Sequence, residues 1–129
     1  MEHSDVVIVG GIACGTKAAA TLARRLPDAT ITLFQKEDYL SLAGCGLPWL
    51  ASGDLTGPEA LLMTSYRTIR DAGFFESTRG FTAVTGAEVL AIDRKPHLVQ
   101  VKLPSGDVAT HGYDTLILAT GARASLPPF

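Results

Sequence analysis

The 129-residue chain has little of what would send a protein to a membrane, a nucleic acid or a metal. No apolar run approaches the roughly 20 residues that span a bilayer. No leader with a charged and then an apolar part precedes the first strand-like residues, so the expected location is cytoplasmic, with no membrane. Eleven basic against thirteen acidic residues leave a formal net charge of −2, which gives no basic field for nucleic acid. Cysteine is scarce: Cys14 and Cys45 stand alone, with no C-x-x-C spacing. His3, His97 and His111 are scattered, so no metal set is expected. In a reducing compartment each thiol is either an inert core residue or a reactive group. No repeat or low-complexity segment is present, and the length suits one domain.

What the chain does have begins at Val6-Val7-Ile8-Val9. Four β-branched residues in a row read as a buried parallel strand, apolar on both faces. Gly10-Gly11-Ile12-Ala13-Cys14-Gly15 follows, and then the alanine-rich Lys17-Ala18-Ala19-Ala20. A strand, a glycine turn and a helix present backbone N–H groups and a helix dipole to an anion such as a pyrophosphate. Against the usual G-x-G-x-x-G, Gly10 and Gly15 are in place and Ile12 holds the middle position. A nucleotide cradle and an ordinary tight turn both remain open at this point.

The spacing predicts a first helix over 15–26, closed by Pro27, with Ala19, Leu22, Ala23 and Leu26 on one face. Lys17, Arg24 and Arg25 lie off that face and suit solvent. A second strand over 29–34 completes a β-α-β unit. It ends at Gln35, where dinucleotide folds carry an acid for the ribose; Glu37 and Asp38 come late to replace it. In the segment 39–53, Pro48 and Gly53 bracket a short helix. Cys45 then lies beside the helix N-terminus, where free N–H groups favour an anion. Gly44 and Gly46 let a flat ligand approach the sulfur. A small buried residue in a tight turn is the other reading.

Thr56-Gly57-Pro58-Glu59 resembles a capping box, opening a helix that runs to Ala72 and stops at Gly73, with Leu62, Tyr66 and Ile69 as its apolar face. A third strand over 81–85 follows. Three short strands, 88–93, 98–103 and 108–113, form a β-meander set apart from the parallel sheet. A buried strand over 115–119 then ends in Thr120-Gly121, and 127–129 closes the chain without further structure. The fold class expected is α/β: a Rossmann-like parallel sheet with an inserted three-stranded antiparallel meander. The C-terminal ends of the parallel strands should bring Thr120 to the glycine turn.

Three stretches in fixed order are the glycine turn, Ser41-x-x-Gly44-Cys45-Gly46-x-Pro48, and Leu116-x-Leu118-Ala119-Thr120-Gly121-Ala122. Together they resemble the N-terminal flavin-binding part of the pyridine nucleotide–disulfide oxidoreductases. The likeness is to their single-cysteine branch: coenzyme A-disulfide reductases, NADH oxidases and peroxidases, and persulfide or polysulfide reductases. Relatives with an internal redox disulfide carry a second cysteine five positions after the first, and Leu50 stands there. The resemblance therefore implies that Cys45 is the redox nucleophile and forms a mixed disulfide, a persulfide or a sulfenic acid.

It further implies FAD as cofactor and, in a full-length parent, NADH or NADPH as reductant. Gly10, Gly11, Ala13 and Gly15 would wrap the pyrophosphate, and Gln35 and Lys36 would sit by the ribose. Val89 would meet the adenine, and Ala119, Thr120 and Gly121 would close over the cofactor. Lys17, Thr21, Arg24, Ser41, Gly44 and Arg79 become candidates for a small disulfide, persulfide or coenzyme A-type substrate, the basic ones pairing with phosphates. Residues 1–129 would be the N-terminal portion of an FAD-binding domain, without the NADH-binding and C-terminal dimerisation domains of a homodimeric parent. The family asparagine before the cysteine is Gly44, and the ribose acid is Gln35. An oxidase or peroxidase cycling through a sulfenic acid, and a nucleotide-binding module without turnover, are the alternatives. Cys14, between Ala13 and Gly15, is expected to pack as a small buried residue.

Overall fold

A computed structural model describes residues 1–123 and 125–128. Phe129, at the end of the closing segment 127–129, lies outside the described residues. The elements in order are β1 (Glu2–Val9), α1 (Cys14–Arg25), β2 (Ile31–Phe34), α2 (Leu47–Ser52), α3 (Ala72–Arg79), β3 (Thr82–Val84), β4 (Glu88–Asp93), β5 (Leu98–Lys102) and β6 (Val108–Leu118). Two 3-10 turns, Gly44–Gly46 and Pro58–Leu62, precede α2 and α3 respectively. Among the described residues, no helix is long and apolar enough to cross a membrane.

The strands form one six-stranded sheet in the order β3-β2-β1-β6-β5-β4. β1 sits inside it, parallel to β2 with Val6 opposite Ile31 and Val9 opposite Phe34. It is also parallel to β6, with Val6 opposite Thr115 and Val9 opposite Leu118. The alternation of β1 explains its unbroken apolar run. Val6 and Ile8 point to a cluster with Ala19, Leu33, Leu40 and Phe75 on the helix side. Val7 points to the opposite cluster, with Phe34, Val99, Val101 and Tyr113.

The meander is antiparallel as expected, but it is hydrogen-bonded into the parallel sheet rather than detached from it. Its third strand and the final parallel strand are one element, β6. Residues near its start pair antiparallel with β5, and its length runs parallel to β1. Val99 and Val101 of β5 nevertheless pack with Phe34 of β2, three strands away in the order. In a flat sheet that separation is about 14 Å, so the sheet curls over its own face. The ring of Phe34 meets that of His111 edge-on at 5.3 Å across the same fold.

The helix expected from Thr56 to Ala72 does not form. Thr56 caps nothing, and the chain makes only the 3-10 turn Pro58–Leu62. It then turns at Thr64, whose hydroxyl accepts from the N–H groups of Tyr66 and Thr68. Met63 and Ile69 bridge antiparallel, and Tyr66 is 90% exposed rather than part of an apolar face. The guanidinium of Arg70 donates to the carbonyls of Leu61 and Leu62, which a continuing helix would have used. The helix starts instead at Asp71, whose Oδ1 accepts from the N–H of Phe74 at 2.8 Å, and Gly80 closes it at φ 73°. Gly73 is therefore inside a helix, not at its end. Leu26, expected on the buried face of α1, is the residue that ends that helix and is half exposed.

Candidate functional site

The C-terminal ends of β1, β2 and β6 converge on the glycine turn. Gly10 has φ 103°, a conformation that side chains resist. A Cβ on it would also run into the carbonyl oxygen of Ala119. A Cβ on Gly15 would run into the carbonyl oxygen of Gly10, so the first turn of α1 can rest on the end of β1 only through a glycine. Ile12, in the middle fingerprint position, is half-buried, and its carbonyl accepts from Thr16 Oγ1 at 2.6 Å. Helix α1 has no side-chain cap and no acidic residue in its first turn, so its leading N–H groups are free for an anion.

This end of the sheet opens into a cleft of about 710 Å³ lined by Gly10, Ile12, Ala13, Cys14, Gln35, Glu37, Leu42 and the run from Leu118 to Ala122, among others. An adjoining cleft of about 210 Å³ shares Gly10, Gln35, Glu37 and Thr120 and adds Lys36, Glu88 and Val89. Most residues read from the sequence for cofactor binding thus lie together, including Val89 from the meander. Gly11 lies beneath them: a Cβ there would press on Leu40 and Leu33. Cys14 is a correction. It is exposed and faces the cleft, because Gly15, Thr16 and Ala19 take the buried side of the first turns.

Gln35 is 2% exposed, and both polar atoms of its side chain are hydrogen-bonded. Its Oε1 accepts from the N–H of Gly11 at 2.6 Å, and its Nε2 donates to Glu37 Oε2 at 2.7 Å. Lys36 turns to Glu88 at 2.8 Å. That hydrogen bond raises the lysine above its ordinary pKa and draws the glutamate below its own. Glu37 was underweighted by sequence reasoning; its distance past the strand end hid that Gln35 folds back to meet it.

Cys45 is exposed within the turn Gly44–Gly46, directly before α2. Pro48 in the first turn and Gly53 at φ 85° bound that helix as the sequence implies. The cysteine segment is tied to the cradle by Ser41, whose N–H donates to the Gly11 carbonyl at 2.8 Å. Ser41 pays for this with φ 53°. Leu40 is buried beneath the turn, and Leu42 reaches the larger cleft. Nothing lies within 4 Å of where a Gly44 Cβ would stand, so space remains beside the sulfur-bearing residue.

The remaining substrate candidates are not drawn into either cleft. Lys17, Arg24 and Arg79 are exposed. Arg24 leans on Thr21 Oγ1 at 3.5 Å. Arg79 lies near α1 through the packing of Gly80 against Ala23. Among the described residues, no group of three or more His, Cys, Asp and Glu is placed to hold a metal ion.

Comparison with known proteins places this geometry. The family model described as pyridine nucleotide-disulphide oxidoreductase matches residues 4–129. A coenzyme A disulfide reductase of Staphylococcus haemolyticus is 30% identical over 121 residues, covering 93% of this chain and 26% of that protein. An NAD(P)H coenzyme A polysulfide/persulfide reductase of Pyrococcus horikoshii is 30% identical over 122 residues, covering 95% of this chain and 25% of that protein. Among solved structures, an NAD-dependent persulfide reductase from A. fulgidus superposes with a TM-score of 0.90 at 35% identity, over 95% of this chain and 23% of its own. The chain thus spans about a quarter of the length of the relatives it matches.

Proposed function

The chain belongs to the pyridine nucleotide-disulphide oxidoreductase family, and from that membership we propose that it is the N-terminal, FAD-binding and cysteine-bearing portion of an NAD(P)H-dependent reductase of small disulfides, persulfides or polysulfides. The observation that carries this reading is the tie between Ser41 and Gly11, which joins the Cys45 segment to the glycine turn at the edge of the larger cleft. The residues present fit the cofactor. A free helix N-terminus suits a pyrophosphate. Gly10 and Gly15 bring the turn's backbone close to the cleft, whose lining Ile12 and Cys14 share, and its volume of about 710 Å³ lies within the range of small-molecule sites.

Gly10, Ala13 and Gly15 would hold the pyrophosphate, with Gly11 supporting them from below. Gln35, Lys36 and Val89 would flank the adenosine, and Ala119 to Gly121 would close the near wall. When bound, FAD supplies electrons taken from NADH or NADPH. Cys45 attacks one sulfur of the substrate: a bond forms between Sγ and that sulfur, the substrate S–S bond breaks, and a thiolate leaves. Leu50 holds the position from which a second cysteine could have displaced the bound half. Ser41 and Gly44 would border the substrate, and Lys17, Thr21, Arg24 and Arg79 would meet a phosphate-bearing one from outside the cleft. The cytoplasm is the setting that suits a free reactive thiol, and the full protein would act as a homodimer.

The test is a mass adduct. Coenzyme A disulfide should add one coenzyme A to Cys45, the Cys45→Ser chain should lose that adduct, and Cys14→Ser should keep it. An adduct confined to Cys14 would overturn the assignment.

A further inference from the structure

We propose that Glu37 supplies the carboxylate that accepts the hydrogen bonds of an adenosine ribose, and that the buried amide of Gln35 positions it there. The proposal rests on the reading of the cleft as a dinucleotide site and names the group that selects its sugar.

In sheets of this kind, the strand after the glycine turn ends in an acid that accepts from the ribose hydroxyls. Here that position, one residue past the pairing of Val9 with Phe34, is an amide. A primary amide has one acceptor oxygen and a donor NH₂. The oxygen of Gln35 is taken by the N–H of Gly11 at 2.6 Å. The side chain is almost wholly buried, and its NH₂ group cannot accept the proton of a sugar hydroxyl. One N–H of that group donates to Glu37 Oε2 at 2.7 Å.

The direction of donation therefore runs from Gly11 to Gln35 to Glu37, and it ends on a carboxylate with a second oxygen uncommitted. Glu37 is exposed and lines both clefts beside Gly10 and Thr120. The backbone holds the arrangement in place. Gln35 pairs its N–H with the Val84 carbonyl and its carbonyl with the N–H of Ala87, each at 2.9 Å, and the Glu37 carbonyl accepts from Gly86 at 2.9 Å. Lys36, the nearest cation in sequence, is committed to Glu88. The acceptor lost from the strand end is thus replaced two residues later. A carboxylate in this place also repels a phosphate on the ribose 2′ oxygen, so the site takes unphosphorylated ribose.

Isothermal titration of the 129-residue chain with ADP, and with ADP carrying an added 2′-phosphate, tests this. ADP should bind and the 2′-phosphorylated probe should bind at least tenfold more weakly. Glu37→Gln, an exposed and nearly isosteric change, should weaken ADP about 10- to 100-fold, the range for hydrogen bonds to a charged group. It should also narrow the discrimination against the 2′-phosphate. The double variant Gln35→Glu/Glu37→Gln returns the carboxylate to the strand end and should recover most of the ADP affinity. Wild-type affinity and discrimination in Glu37→Gln would overturn the role of Glu37 and, because ADP still binds, leave the cleft reading standing. If ADP does not bind the folded wild-type chain, the role of Glu37 fails, whereas the reading of Cys45 stands or falls on its own adduct test.

Discussion

Ser41 and Gly11 are thirty residues apart in sequence and 2.8 Å apart in space, the N–H of one on the carbonyl of the other. This bond joins a turn that would cradle a cofactor to the loop that carries a thiol. Leu40, wedged beneath Gly11, makes the joint a packed one.

A graded glycine series tests that joint. Gly15→Ala drives a methyl into a backbone carbonyl and should cost about 3 kcal/mol or more. Gly11→Ala presses on the flexible ends of Leu40 and Leu33 and should cost about 1–3 kcal/mol. Gly44→Ala meets nothing within 4 Å, at a backbone without positive φ, and should change stability by less than about 1 kcal/mol in either direction. Urea unfolding midpoints would rank them, and equal costs at all three sites would contradict the packing.

Asp71 is the cap that the sequence pattern misassigned to Thr56. Asp71→Ala should lower stability by about 1 kcal/mol, whereas Thr56→Ala should leave it nearly unchanged. Denaturant unfolding of the two single variants separates them.

Burial of His111 against Phe34 lowers its pKa below the ordinary 6.5. The Glu2 carboxylate beside Nδ1 opposes this, and His3 adds slightly to it. The unfolded chain therefore takes up a proton near pH 6.5 that the folded chain refuses. Stability should be unaffected by this group above that pH and should fall as pH drops below it. His111→Gln should flatten the change in urea midpoint between pH 7.5 and 5.5. An unchanged slope would show that His111 is not the group responsible.

Both thiols are open to solvent, so iodoacetamide should label both in the free chain. Cys14 lines the larger cleft, so saturating ADP should slow its labelling and leave Cys45 reactive. Peptide mass mapping over time reads both rates, and protection of Cys45 alone would contradict the placement of the nucleotide end.

Much of this was legible because it is local. Four β-branched residues, a glycine turn and alanines fix β1 and α1 by propensity and period. Pro48 and Gly53 bound α2 for backbone reasons that need no partner. What was not legible depends on a distant partner or on a rotamer. The helix beginning at Asp71 follows a 3-10 turn whose carbonyls are taken by the Arg70 guanidinium, a side-chain choice that hydrophobic periodicity does not register. The exposure of Cys14 is a matter of helix phase, set by Gly15 against Gly10. The part played by Glu37 depends on which way an amide side chain folds.

The long strand β6 also sets an order of events. Val6 lies against Thr115, so one edge of β1 waits for a partner that follows much later in the chain. Until then Val6 to Val9 present an apolar, unpaired edge, the kind that recruits neighbouring chains. So late a contact is slow to close, because the intervening loop must be ordered first. The interval between synthesis of β1 and arrival of β6 is when this sheet is most open to a neighbouring strand, and when a chaperone that shields a sheet edge would have most to do.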